Sequence, residues 1–249
     1  MERPYIGITG FMSKAEANAL LQLPQLPKNR LIMVGVLASL KTLRRLQNKH
    51  PNRYPKVENI AGIFPEHPQA LNLIHYATDE PETLYTQLRE ITKLGGENMH
   101  GLQLNVAWPP PPVLYEYRLA YPFKKIVLQI GNRALEMVDT LPLFLAEKIR
   151  SYEKLVDYIL LDPSGGLGKP LDTSRADVYL RVLKRKNIDI GLGVAGGLSP
   201  TTLNLVEPLA EDFPDLSIDA EGRLRNENDN LDLALAKKYL EKAFEIFRK

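Results

Sequence analysis

At 249 residues with 44% hydrophobic content, the chain can bury a large core and matches the usual size of one α/β barrel or of two smaller domains. Thirty-two Lys and Arg stand against thirty Asp and Glu, a formal charge of +2, so no nucleic-acid or anionic-membrane footprint is expected. The absence of cysteine excludes disulfides, Cys-ligated zinc and a thiol nucleophile.

The opening "MERPYIGITGF" has neither the basic n-region nor the apolar h-region of a signal peptide, and no run of about 18 apolar residues occurs; a cytoplasmic chain without a membrane span is expected. The first strand is "YIGIT" (5 to 9) and the second "RLIMVGVL" (30 to 37). "SLKTLRRLQNKHP" then reads as an insertion; from position 41 to 56 it brings Lys41, Arg44, Arg45, Lys49, Arg53 and Lys56 with no acidic residue, the pattern of a solvated helix and loop. "ALNLIHYA" (70 to 77) is the third strand, and "EPETLYTQLREITKLG" follows as a helix, with Leu84, Leu88 and Ile91 on one face and a Gly stop. "GLQLN" (101 to 105) leads to four prolines after Trp108, expected to stiffen a loop wall, and then come "KKIVLQI" (124 to 130) and "DYILLD" (157 to 162). "IDIGLGV" (188 to 194) is followed by "SPTTLNLVEPLAE", where Ser199 is placed as N-cap and Pro200 as the first helical residue. "DLSID" (215 to 219) precedes "LDLALAKKYLEKAFEIF", whose Leu233, Ala236, Leu240, Ala243 and Phe247 form an apolar stripe.

Strands alternating with helices imply parallel pairing through right-handed crossovers, and eight such units close into a (β/α)8 TIM barrel. No low-complexity linker divides the chain, so residues 1 to 249 read as one domain. Chemistry in such a barrel sits at the C-terminal strand ends. Asp162 ends the sixth strand there and shares a face with Leu160 and Tyr158, and the glycines beyond it let the backbone approach a ligand closely. The same glycine-rich run fails as a Walker A loop, because Pro163 replaces the first glycine and Pro170 the Ser or Thr. "GLGVAG" (191 to 196) is a literal GxGxxG with Asp219 ending the next strand, which leaves a dinucleotide-binding α/β protein as the lowest-ranked alternative.

"LLDPSGGLGKPLD" (160 to 172) and "GVAGGLSPTTL" (193 to 203) resemble the two strongest motifs of the phosphoribosylanthranilate isomerase family, LLDxxxGGTGKxFDW and LAGGLxPxN. Weaker likenesses continue in the same order: "YIGITG" to KICGIT, "GLQLN" to VQLHG and "LSIDAEGRLR" to VDVSSGVE. The resemblance implies an eight-stranded barrel with Asp162 as general acid and Asp219 as the inward aspartate of strand eight. It also implies phosphate held by backbone N–H groups at Gly196 and Gly197, with Gly222 in the partner loop; orphan N–H groups beside a helix start make such a site. Gly165 and Gly166 fall in the substrate loop after strand six. "NRYP" (52 to 55) places Arg53 where the family's arginine meets a substrate carboxylate. The family's general base, the cysteine of KICGIT, aligns with Ile6, and the aspartate that a related histidine-pathway barrel uses there is absent too. Glu221 falls among residues that are serine in the family; Arg223 and Arg225 are the neighbours expected to neutralise it.

The leading expectation is therefore a divergent barrel enzyme acting on a small anionic, phosphorylated substrate, with no metal or cofactor and without the standard Amadori isomerisation. Asp162, Asp219 and His75 are its catalytic candidates, and Gln103, Asn105 and Gln129 line the mouth; for His75 the plainer role is a hydrogen-bonded core residue. The alternative is a noncatalytic barrel that binds a ligand or protein partner. Nothing in the sequence fixes an oligomeric state.

Overall fold

The computed structural model describes residues 2–163 and 170–248. Its strands are β1 (Tyr5–Thr9), β2 (Leu31–Ser39), β3 (Ala70–Ala77), β4 (Gly101–Asn105), β5 (Lys125–Gly131), β6 (Tyr158–Asp162), β7 (Gly191–Ala195) and β8 (Ser217–Ala220). Each pairs in parallel with the next, and β8 pairs with β1 through Ile6–Ile218, Gly7–Asp219 and Ile8–Ala220, closing the barrel. That closure removes the doubly wound alternative: "GLGVAG" is β7 and its exit within a barrel wall, with no open crevice for a dinucleotide.

The connecting helices are α1 (Lys14–Leu21), α2 (Leu40–Leu43), α3 (Ile60–Ile63), α4 (Leu84–Leu94), α5 (Pro111–Ala120), α6 (Asn132–Glu136), α7 (Pro142–Arg150), α8 (Thr173–Arg185), α9 (Glu207–Asp212) and α10 (Leu233–Ile246). Local chemistry starts several of them. Ser13 and Glu16 form a reciprocal capping box on α1, and Asp172 and Asp232 accept first-turn N–H groups on α8 and α10. Two expectations shift here. The proline run does more than wall a loop, because Pro111 and Pro112 open α5, where a missing N–H is harmless. The helix expected from Pro200 begins only at Glu207: the Thr202 hydroxyl accepts from the Ser199 N–H (2.9 Å) and donates to the Gly197 carbonyl (2.8 Å), so this stretch coils into turns and a 3-10 segment, Leu203–Leu205.

Two apolar regions hold the barrel together. Outward-facing strand residues such as Ile6, Ile8, Ile74, Leu128, Ile159 and Ile218 pack against the helices in a continuous fully buried layer. Tyr5, Met33, Leu71, Leu73, Val127, Tyr158 and Leu160 fill the interior, with the Tyr5 and Tyr158 rings edge to face at 5.2 Å. Glycines make room for these large side chains: a Cβ on Gly191 would lie 2.4 Å from Tyr158 Cδ1. The interior below the mouth is thus filled by side chains, and the polar strand ends open at the C-terminal face, where barrels of this kind carry their chemistry. No helix among the described residues is long and apolar enough to cross a membrane.

Candidate functional site at the barrel mouth

Period-two alternation that buries apolar residues lower in the barrel delivers polar ones at its rim. His75 from β3, Gln103 and Asn105 from β4, Gln129 from β5, Asp162 from β6 and Asp219 from β8 line one cavity with Gly196, Gly197, Glu221, Gly222 and Arg223. The cavity measures about 80 Å³ and opens to solvent at the rim. Gly165 and Gly166 lie outside the described residues.

One hydrogen-bonded line crosses the floor. Gln129 Nε2 donates to Asp162 Oδ2 at 2.8 Å, Gln103 Nε2 donates to Gln129 Oε1 at 3.2 Å and to Asp219 Oδ2 at 3.1 Å, and Thr9 Oγ1 donates to the Asp219 carboxylate at 3.1 Å. Asp219 is thus fixed by neutral donors, with no cation pairing it among the described residues, and Asp162 accepts from the neutral amide of Gln129. Asp162 and Asp219 are each 5% exposed. Burial pushes Asp219 from 3.8 up to about 7; hydrogen bonds from Gln103 and Thr9 pull the other way, and the charges of Glu221 and Asp162 add to the rise. A carboxyl whose affinity for a proton is raised toward neutrality can both give and take one at physiological pH.

Three residues sit differently from expectation. Ile6 does not face the mouth: it is fully buried in the outer layer, and the inward residues of β1 are Tyr5, Gly7 and Thr9. A Cβ on Gly7 would lie 2.7 Å from Met33 Cε and 2.8 Å from Asp219 Oδ1, so a thiol at Gly7 would have to displace both side chains. Glu221 finds a direct cation partner in Arg53, while the charge of Arg225 acts on it without a hydrogen bond. It turns toward the mouth and accepts from Arg53 Nη1 at 2.9 Å, while Arg225 reaches under the rim to the Thr9 and Gly10 carbonyls. The third is His75, which makes no hydrogen bond to a described residue: its Nδ1 is enclosed and partnerless.

Arg53 does reach the rim, held from behind by Asp229 through Nε (2.8 Å) and Nη2 (2.5 Å). Asn52 donates to the Asn228 carbonyl at 2.9 Å, and His50 Nδ1 lies 3.5 Å from Asp229. The basic insertion is therefore tied to the segment after β8, and its other arginines find distant acids, Arg44 with Glu80 and Arg45 with Glu58. The anion site expected between Gly196, Gly197 and Gly222 keeps its sharply turned glycines (φ 124° and 54° at Gly196 and Gly197), but the α-helix after them starts only at Glu207, Gly222 opens a single 3-10 turn, and Glu221 stands in the partner loop. Thr9 was missed by sequence reading: alternation groups it with Tyr5 and Gly7, but the barrel decides which face of β1 turns inward.

No protein-family model and no curated protein sequence matches this chain. Its fold is similar over nearly the whole length to a phosphoribosyl anthranilate isomerase from Thermus thermophilus (14% identity, TM-score 0.64, covering 97% of this chain and 99% of that one). TrpF from Jonesia denitrificans is similar at 14% identity and TM-score 0.59, covering 98% of each chain. The catalytic domain of a hyperthermophilic chitinase from Pyrococcus furiosus reaches the same TM-score, 0.59, at 12% identity, covering 100% of this chain and 98% of that one. An isomerase and a chitinase share this barrel, so the likeness speaks to the fold and leaves the reaction to the residues at the mouth.

Proposed function

We propose that this chain is a barrel enzyme that moves protons on a small, sugar-phosphate-like substrate, with Asp162 and Asp219 as its acid–base pair, and that it does not perform the Amadori isomerisation. The observation that carries the reading is the amide line from Asp162 through Gln129 and Gln103 to Asp219, with Asp219 pushed up to about 7 by burial. Two fixed carboxyl groups in different environments divide the roles of donor and acceptor without a metal or a thiol. The anionic end of the substrate is assigned to the turned backbone at Gly196 and Gly197 and to Arg53 and Arg223, by resemblance to the isomerase motifs and by their place at the rim.

Exchange in heavy water tests it. Pentose and hexose phosphates, ribose 5-phosphate first, are incubated with the protein and their C–H signals followed by NMR; the reading expects enzyme-dependent loss of a proton next to a carbonyl or hemiacetal carbon, abolished in Asp162→Asn. Binding without exchange across the panel would favour the second reading, a noncatalytic barrel. One observation already supports that second reading: Glu221 occupies the Arg53 guanidinium that an anionic substrate needs. Neither binding nor exchange would remove the sugar-phosphate class.

A further inference from the structure

His75 stands on β3 between Leu37 of β2 and Gln103 of β4, 7% exposed, on the wall of the mouth cavity. Nδ1 is sealed from solvent and has no hydrogen-bond partner, which leaves Nε2 as the nitrogen that meets the cavity. A neutral imidazole carries one N–H and one bare lone pair, and the structure decides between the two tautomers. A proton on Nδ1 would bury an orphan N–H donor, a group that folded proteins scarcely tolerate; a proton on Nε2 buries only a bare lone pair and points the donor into the cavity. The imidazolium is worse than either, since it would bury a charge and the orphan donor together.

The charged groups facing the ring are Asp162 from β6, Asp219 and Glu221 at the end of β8, and Arg223 beyond it. Burial lowers the affinity of His75 for a second proton, and the opposing pull of Glu221 and Asp162 does not overcome it.

We propose that His75 is a permanently neutral hydrogen-bond donor, presenting Nε2–H to an oxygen of the bound molecule and taking no proton itself. Only the identity of that oxygen rests on the sugar-phosphate reading; the state of the ring follows from its own surroundings. The histidine best placed by sequence to shuttle protons is thereby a binding group, and proton traffic is left to the two aspartates. A neutral donor also suits a substrate carbonyl or hydroxyl, which it polarises without competing for the acid's proton.

The chain holds four histidines, at 50, 67, 75 and 100, so selective ¹⁵N labelling gives four resolvable rings. Long-range ¹⁵N–¹H correlation spectra are recorded from pH 5.5 to 9 on the wild-type protein. The ring absent from the His75→Gln spectrum is His75; if that variant does not fold, His50→Gln, His67→Gln and His100→Gln assign it by elimination. The expected result is one protonated and one bare nitrogen throughout, with the proton on Nε2 and no titration step. A Nδ1–H tautomer, or an imidazolium anywhere in that pH range, would overturn the proposal.

Ribose 5-phosphate is then added. His75→Gln, whose amide nitrogen reaches the Nε2 position, is expected to keep its affinity within about threefold, and His75→Asn to lose about tenfold, the scale of one hydrogen bond. Equal losses in both variants would refute the donor role. If the wild-type protein itself fails to bind ribose 5-phosphate, the substrate class falls while the tautomer result still decides the state of the ring.

Discussion

Replacing Asp219 by Asn removes the charge that β8 buries while keeping its shape and partners: the amide oxygen still accepts from Gln103 Nε2, and the amide nitrogen can donate to Thr9 Oγ1. In the folded chain the carboxyl titrates at about 7 rather than 3.8, so between those values the native state holds a proton that the unfolded state has released. Stability from this group is therefore full below pH 3.8, falls as pH rises, and is lost above pH 7. At 1.36 kcal/mol per pH unit, tapering as the native carboxyl itself ionises, the loss is about 2.3 kcal/mol between pH 5 and pH 7 and about 0.4 kcal/mol more by pH 9. Groups that do not feel the Asp219 charge cancel when Asp219→Asn is compared with the parent at each pH; Glu221 and Asp162, which do feel it, leave a smaller residual. Urea or thermal unfolding at pH 5, 7 and 9 should show the variant gaining about 3 kcal/mol on the parent between pH 5 and pH 9, or roughly 5–10 °C in Tm for a chain of this size. A stability difference independent of pH would mean that Asp219 is ionised in the fold at every pH tested, and the acid–base pairing built on it would fail.

Asp162→Asn should leave the fold intact, since the amide can still accept from Gln129, and should abolish the solvent exchange measured on any sugar phosphate the protein turns over. Glu221→Gln frees Arg53 from one of its two carboxylate partners, and sulfate or ribose 5-phosphate should bind at least about fivefold tighter by calorimetry; unchanged or weaker binding would place the anion elsewhere. Ile6→Cys should give a thiol inert to alkylating reagents in the native protein and no isomerisation of phosphoribosylanthranilate, because position 6 faces the helices; rapid labelling would contradict the register. Gly7→Cys should cost about 2 kcal/mol or more in urea unfolding, given atoms at 2.7 and 2.8 Å from the new Cβ.

The sequence by itself determined the eight strands to within a few residues, their parallel order and the closed barrel, because alternation of period two and the regular return of helical spacing are local properties that burial enforces. It also placed His75, Gln103, Gln129, Asp162 and Asp219 at one end of the barrel, since strand ends in this topology converge whatever the side chains are. Only the tertiary structure decided which way β1 faces, because motif matching anchored on "GIT" put Ile6 at the mouth, and a one-residue slip exchanges the inner and outer faces of a strand. The turns at Ser199 were equally hidden: its side chain satisfies helix-capping rules on paper, yet the Thr202 hydroxyl takes the backbone groups first. The bonds that set the chemistry join residues far apart in the chain, 116 positions from Gln103 to Asp219 and 168 from Arg53 to Glu221, and no local pattern encodes such a distance. The raised affinity of Asp219 for its proton and the orphaned nitrogen of His75 belong to the same class, because both depend on what the closed barrel withholds from them, which is water.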